Sequence, residues 1–302
     1  MAQALVICGP TATGKTALAV ECAKKLNSPV ISADSQLVYK GLDIGTAKPT
    51  EEEKAGVTHY MIDVCEPYCD YSVSDYCDNA LPIVESVINN GKVPVICGGT
   101  GFYINSLLFD FSYGNVAADE NIRNKYLEIA RTKGREYLHS LLEKADPESA
   151  AKLHPNDVKR VIRALEIYEV GGRKKSEISD GGKRFSYLAV AVAYPREELY
   201  QRIERRVDAM FENGLVEEVQ SLLARGIDEN CRCMQAIGYK EVLECLKNGD
   251  NQSTMRDIIK QNTRRYAKRQ ITFFKKLDGI VWLKPEEASA GNVLEIFYNG
   301  KR

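Results

Sequence analysis

Histidine is scarce in this 302-residue chain: His59, His139 and His154 stand far apart. None of the nine cysteines belongs to a CxxC pair, since Cys65/Cys69 and Cys231/Cys233 have other spacings. Zinc sites draw their ligands from closely spaced Cys and His, so a metal–thiolate centre is not expected. An odd cysteine count in a chain too long to need disulfide staples predicts reduced thiols. Cys8, Cys22 and Cys97 lie in apolar stretches that read as core. No run approaches the roughly 18–20 apolar residues needed to span a bilayer. The first apolar run begins at Ala4, which leaves no room for a signal peptide. These absences predict a soluble, cytoplasmic protein with no membrane partner. There is also no internal repeat and no low-complexity tract.

Net charge is nearly missing too, because 41 Lys and Arg oppose 42 Asp and Glu to leave −1. The average conceals a basic segment. From Arg256 to Lys276 stand Arg256, Lys260, Arg264, Arg265, Lys268, Arg269, Lys275 and Lys276 against the single acid Asp257. At i, i+4 spacing, Arg264 with Lys268 and Arg265 with Arg269 form two adjacent basic ridges on one helix. In a chain of near-zero net charge such concentration points to RNA phosphates, while the interleaved Tyr266, Phe273 and Phe274 read as core.

The hydrophobic share, 44%, is ample for a core, and the length calls for one large domain plus a smaller one. Short apolar runs at Ala4 to Cys8, Val30 to Ala33, Met61 to Val64 and Val93 to Cys97 read as buried parallel strands. Between them Lys15 to Leu26 and Val73 to Asn89 have helical periodicity, with Ser72 or Ser74 as cap and Gly91 as stop. After Phe111 the pattern is helical only, at Ile122 to Lys133, Arg135 to Lys144 and Asp157 to Val170. Arg173 to Arg184 reads as an exposed connection, and Tyr187 to Ala193 as a strand that rejoins the sheet. Leu199 to Phe211, Leu215 to Ala224, Tyr239 to Lys247 and Ser253 to Lys276 follow as helices, with a last short strand at Ile280 to Leu283. The expected fold is α/β: a P-loop-containing, doubly wound parallel sheet built from residues 1–112 and 186–302, with an all-α insertion domain at 113–185 and a helical C-terminal region.

Gly9-Pro10-Thr11-Ala12-Thr13-Gly14-Lys15-Thr16 satisfies GxxxxGK[ST] between a strand and a helix. The glycines turn the backbone so that its N–H groups face inward. Lys15 adds a point charge, Thr16 a hydroxyl for Mg2+, and the helix its positive dipole end. The loop therefore binds a diphosphate. A nucleotide hydrolase also needs a strand ending in an acid that holds the Mg2+ shell. Here Val93 to Cys97 runs instead into Gly98-Gly99-Thr100-Gly101, and Asp63 is the remaining substitute. A loop that grips a departing diphosphate fits at least as well. The second strand leads into Asp34-Ser35-Gln36-Leu37, which topology places beside the phosphate loop. Asp34 and Ser35 either cap this turn or read the amino group of a base, with Asp34 accepting a proton.

These motifs resemble the tRNA dimethylallyltransferase, or tRNA isopentenyltransferase, family. The resemblance runs in order through GPTATGKT, DSQLVYKGLDIGTAKP (Asp34 to Pro49), GGTG, HPNDVKRVIRALE (His154 to Glu166), RIERRVDAM with GLVEEV (Arg202 to Val219), MQAIGYKE (Met234 to Glu241) and TRRYAKRQITFF (Thr263 to Phe274). Many members have DSxQ, whereas Gln36 here is the third residue, so that family role is not carried over. Within its 302 residues the chain lacks the zinc-finger extension of eukaryotic members and resembles the bacterial form.

The resemblance implies transfer of a dimethylallyl group from dimethylallyl diphosphate to N6 of adenosine 37, just 3′ of the anticodon in the tRNA stem-loop. It implies a diphosphate grip by Gly9 to Thr16 with Mg2+ at Thr16, and Arg206 as an added forked donor. Lys15, Thr16, Asp34 and Arg206 become the catalytic set, with Asp34 the proton acceptor. Asp34, Ser35, Gln36 and Leu37 would meet the base, Thr100 and Arg123 would contact tRNA near the channel mouth, and Gln235 would join the tRNA-binding set. Lys159, Arg160, Val161, Ile162 and Arg163 in the insertion, and Arg264, Arg265, Lys268 and Arg269, would hold the rest of the tRNA. A monomer is expected. Two alternatives share the loop: a transferase acting on free AMP, ADP or ATP, and a P-loop nucleoside or small-molecule kinase. The insertion and the basic helix speak against the first, because a free nucleotide needs neither.

Overall fold

A computed structural model describes residues 3–110, 119–178 and 181–300. The chain divides into two compact units, Met1–Leu108 with Arg184–Arg302, and Phe109–Lys183. The sequence expectation put one boundary at 112/113, which lies outside the described residues.

The larger unit begins with β1 (Ala4–Cys8), α1 (Lys15–Leu26), β2 (Val30–Ser32), α2 (Glu51–Lys54), β3 (His59–Tyr60), α3 (Val73–Asn89), β4 (Val95–Gly98) and α4 (Gly101–Leu108). The smaller unit supplies the next four helices, α5 (Glu120–Thr132), α6 (Arg135–Ala145), α7 (Pro147–Lys152) and α8 (Val158–Gly171). The larger unit then resumes with β5 (Tyr187–Val192), α9 (Arg196–Glu212), α10 (Leu215–Ala224), α11 (Tyr239–Asn248), α12 (Gln252–Phe274), β6 (Val281–Leu283) and α13 (Ala290–Asn299). Its strands form one six-stranded sheet in the order β3-β2-β4-β1-β5-β6. Every ladder is parallel, with Ile7 opposite Cys97 on one side and Val190 on the other. Leu5 and Ile7 pack with Val95, Cys97, Val190 and Val192 beneath α1 and α13. The alternate residues Val6, Ile31 and Ile96 are equally buried, so both faces of the sheet are covered.

Local sequence explains most boundaries. Ser72 and Asp75 form a reciprocal capping box at the start of α3, and Asn90 and Gly91 end it, the latter at φ 71°. The strand expected at Met61 to Val64 lies two residues earlier, at His59–Tyr60. Met61 and Asp63 adopt positive φ of 64° and 56°, which a strand cannot continue through. All nine cysteines are free thiols. Among the described residues no helix is long and apolar enough to cross a membrane.

The smaller unit has a core of its own, formed by Tyr126, Leu138, Leu142, Val161, Ile162 and Leu165. Among its described residues, the connection expected at Arg173 to Arg184 contains one 3-10 turn, Lys175–Glu177. Ser176 there donates from both N–H and Oγ to the buried Asp146, at 3.0 and 2.6 Å.

Candidate active site

The strand-to-helix turn after β1 takes the shape that its glycines permit. Gly9 and Gly14 adopt φ of 120° and 81°, and Ala12 follows at 65°. Thr13 is buried and its hydroxyl donates to the Pro10 carbonyl at 2.9 Å; Lys15 Nζ donates to the same oxygen at 2.5 Å. α1 begins at Lys15 with no acid in its first turn, leaving its N-terminal dipole uncompensated and open to an anion. Burial lowers the Lys15 ammonium from its ordinary range, and Arg206 adds to that, while Asp34 opposes it. Lys15 nevertheless keeps part of its surface open to a cavity of about 360 Å³.

That cavity collects the residues expected to act. Thr11, Lys15, Thr16, Asp34, Ser35, Gln36, Leu37, Arg206, Gln235 and Arg269 all line it. Gly9, Pro10, Ala12, Thr13 and Gly14 shape the loop at its edge. Asp34 Oδ1 accepts from the Gln36 N–H at 2.9 Å, so the carboxylate does cap its own turn while still facing the cavity. Ser35 N donates to Thr100 Oγ1 at 2.9 Å, and Thr100 Oγ1 donates to Ser35 Oγ at 3.2 Å. Thr100 thus braces the turn that carries Asp34. The GGTG glycines are demanded by closeness: a Cβ on Gly98 would strike the Ala33 carbonyl, and one on Gly101 the Phe273 ring. Cys97 also lines the cavity; burial pushes its thiol up to about 12, so it is neutral there. Gln36 Oε1 is buried without a hydrogen-bond partner, an acceptor at the cavity wall.

Arg206 reaches the cavity from α9, and its Nη2 donates to the Thr46 carbonyl at 3.1 Å. Burial lowers its guanidinium below the usual arginine range, opposed first by Asp34. Sequence reading missed how the loop around Thr46 is held. Glu218 accepts the N–H groups of Asp43, Ile44 and Gly45 at 2.9, 2.8 and 3.1 Å, and the Tyr239 hydroxyl at 2.5 Å. The signal was present in GLVEEV and DIGTAKP, but only contact pairs them. The Asp63 carboxylate, the substitute considered for a Mg2+-shell acid, is engaged by Lys48 instead. Among the described residues no cluster of three or more acidic, His or Cys side chains is placed to hold a metal. The donor set fits a Mg2+ carried mainly by diphosphate oxygens, with Thr16 supplying a hydroxyl.

The basic helix divides its labour. Arg269 faces the cavity, and Arg265 and Lys268 are exposed. Arg264 is paired with Glu204 at 2.7 Å and lies over the Tyr200 ring, so its charge is already matched within the protein. Tyr266, expected in the core, lines the cavity instead, because it shares the Arg269 face of the helix. Phe274 is buried as expected, and Phe273 packs edge-on to it and to Phe102.

In the helical unit Arg123 and Arg163 flank the buried Glu166 at 2.9 and 2.6 Å, and Arg160 pairs with Asp157 at 2.7 Å. Lys159 is exposed. Val161 and Ile162 are core residues of α8, which corrects their expected role in touching tRNA: their apolar side chains turn to Tyr126, Leu138 and Leu142.

Comparison with known proteins supplies the family. Residues 37–277 match the IPP transferase family model, and residues 2–67 match that of isopentenyl transferase. The chain is similar to the tRNA dimethylallyltransferase of Acetivibrio thermocellus, 44% identical over 291 residues, covering 95% of this chain and 93% of that one. The tRNA isopentenylpyrophosphate transferase of Bacillus halodurans is similar in structure at 41% identity, with TM-score 0.73 and coverage of 99% and 96%. A eukaryotic dimethylallyltransferase solved acting on tRNA aligns at TM-score 0.82 and 28% identity, covering all of this chain and 81% of that one. With the family model spanning residues 37–277 and full-length relatives above 40% identity, the chain belongs to the IPP transferase family.

Proposed function

We propose that this protein transfers a dimethylallyl group from dimethylallyl diphosphate to N6 of adenosine 37, beside the anticodon of tRNA. The observation that carries the reading is one cavity lined by Lys15, Thr16 and Arg206 together with Asp34 and Ser35. The cations and loop amides suit a departing diphosphate, and the carboxylate in the same cavity suits an amine losing a proton.

The residues divide the reaction accordingly. Lys15, Arg206 and the loop N–H groups stabilise the negative charge that grows on the diphosphate as its bond to the allylic carbon breaks. Thr16 would hold a Mg2+ ion through its hydroxyl, and the ion would supply further electrostatic stabilisation of the departing diphosphate. As N6 forms its bond to that carbon, Asp34 accepts the N6 proton. Gln36 Oε1 offers the buried acceptor that an extruded base would meet. Taking the base out of the anticodon stack costs a few kcal/mol, offset by stacking and phosphate contacts. Arg265, Lys268 and Arg269 provide cations for that RNA, and the helical unit adds Lys159 and the flank of Arg160. Cytoplasmic location and a monomeric state complete the reading.

Incubating the purified protein with labelled dimethylallyl diphosphate, and with unmodified tRNA or AMP in parallel, tests it. Label on tRNA alone is expected; label on AMP without tRNA overturns the proposal in favour of a free-nucleotide transferase, and ATP-dependent phosphorylation of a small acceptor in favour of a kinase.

A further inference from the structure

Gln270 is the one buried polar residue of α12, and it stands at the wall of the cavity. Both ends of its carboxamide are used on backbone. Oε1 accepts the Thr11 N–H at 2.9 Å, and Nε2 donates to the Gly99 carbonyl at 2.9 Å. The two partners belong to different loops, the phosphate loop after β1 and the glycine loop after β4. The fit is close, since a Cβ on Gly99 would strike Nε2.

From Gly99 the connection continues. Thr100 N donates to the Ala33 carbonyl at 3.1 Å, and Thr100 Oγ1 accepts the Ser35 N–H at 2.9 Å. An unbroken chain of hydrogen bonds and peptide units therefore runs from Thr11 through Gln270 and Thr100 to the turn that carries Asp34. One end holds the leaving group and the other the proton acceptor. The clamp also withdraws a donor from anion binding, because the Thr11 amide, which a phosphate loop would ordinarily aim at its ligand, is bonded to a side chain instead. A residue kept only for packing would not need to satisfy two backbone groups of opposite polarity. Leucine or methionine would fill a similar volume but leave the Thr11 N–H and the Gly99 carbonyl without a partner.

We propose that Gln270 is a positioning residue that sets the distance between the diphosphate grip and Asp34, and so aligns the allylic carbon with N6 and its proton acceptor. This rests on the transferase reading of the same cavity. Gln270 borders the cavity, but both polar atoms of its carboxamide are spent on the Thr11 N–H and the Gly99 carbonyl, so it acts by holding the two loops in register. Its place on α12 beside Arg269 also fastens the helix that faces RNA to the loop that faces diphosphate.

Steady-state prenylation of tRNA by the full chain tests this with Gln270→Glu, Gln270→Met and Gly99→Ala. Wild-type transfer to tRNA is the control that checks the transferase reading by itself. Gln270→Glu keeps the acceptor for Thr11 but sets a carboxylate oxygen against the Gly99 carbonyl, so kcat should fall about 10- to 100-fold, the scale of a misalignment near 1 Å. KM for both substrates should move less than about threefold, because the carboxamide's hydrogen bonds go to backbone groups of the protein. Gln270→Met leaves the Thr11 N–H and the Gly99 carbonyl unpaired, so it should lose kcat similarly and melt somewhat below wild type, the loss of kcat exceeding what the fraction unfolded accounts for. Gly99→Ala pushes on the same contact, so combining it with Gln270→Met should cost less than the product of the single losses. Wild-type kcat in either Gln270 variant overturns the proposal. So does a loss that tracks melting temperature and substrate affinity rather than kcat, or a double variant whose losses multiply.

Discussion

Asp34 is made useful by its surroundings rather than by its own chemistry. Its Oδ1 accepts the Gln36 N–H at 2.9 Å, which fixes the turn, and the carboxylate borders the same cavity as Lys15 and Arg206. Asp34→Ala should lower turnover by about 10² to 10⁴ while tRNA affinity stays near wild type, a split that single-turnover kinetics with a binding isotherm would read. Lys15 presents the opposite balance. Burial disfavours its charge in the ligand-free protein, so the cation destabilises the fold until it meets its anion. Lys15→Met should therefore abolish transfer yet raise unfolding stability by about 1 kcal/mol, measurable by denaturant titration. Both residues were legible as candidates, because the GxxxxGK[ST] spacing and the acid after β2 are local signals. Gln270 and Glu218 were not legible. A glutamine in a basic helix and a glutamate in an amphipathic one carry no spacing that names their partners, which lie 171 to 259 and 173 to 175 residues away.

Among the elements, α12 shows how one helix serves three environments. Met255, Ile259, Ala267 and Phe274 are buried, Thr263, Tyr266 and Arg269 face the cavity, and Arg265 and Lys268 face solvent. The run of cations announced the helix and its charge, but not which cations are already paired. Glu204 neutralises Arg264 from α9, and Asp208 accepts Arg256 and Lys260 at 3.3 and 2.7 Å. Replacing Arg265 and Lys268 together by Ala should weaken tRNA binding and reduce its salt slope by about 2. Arg264→Ala should leave that slope near wild type. Binding measured across a salt series separates the two outcomes, and an unchanged slope in the double variant would show that this face does not meet phosphate.

For the molecule as a whole, the helical unit carries an independent pH dependence. Burial alone would raise the Asp146 carboxyl, but hydrogen bonds from Ser149 and Ser176 outweigh it and hold the group at about 2, below its ordinary 3.8. A carboxyl depressed on folding contributes stability that is complete above its unfolded value and lost as pH falls through the folded one. The Asp146 contribution should therefore be present above about pH 4 and disappear toward about pH 2. Asp146→Asn turns an N–H against one of the serine donors and should cost about 1.5 to 3 kcal/mol at neutral pH. It should also flatten the acid limb, as followed by circular dichroism of the full chain.

What the sequence determined by itself is what short-range physics controls: strand and helix alternation, the glycine loop, the capped α3, the helical insertion, the carboxylate placed beside the loop. Apolar periodicity and turn chemistry act over a few residues, so they are readable without a fold. Tertiary structure alone decided which cations are paired with carboxylates, why Val161 and Ile162 face a core, and that one glutamine side chain joins the phosphate loop to the glycine loop. Those outcomes depend on partners brought within hydrogen-bond distance from far along the chain, and no local pattern encodes that distance.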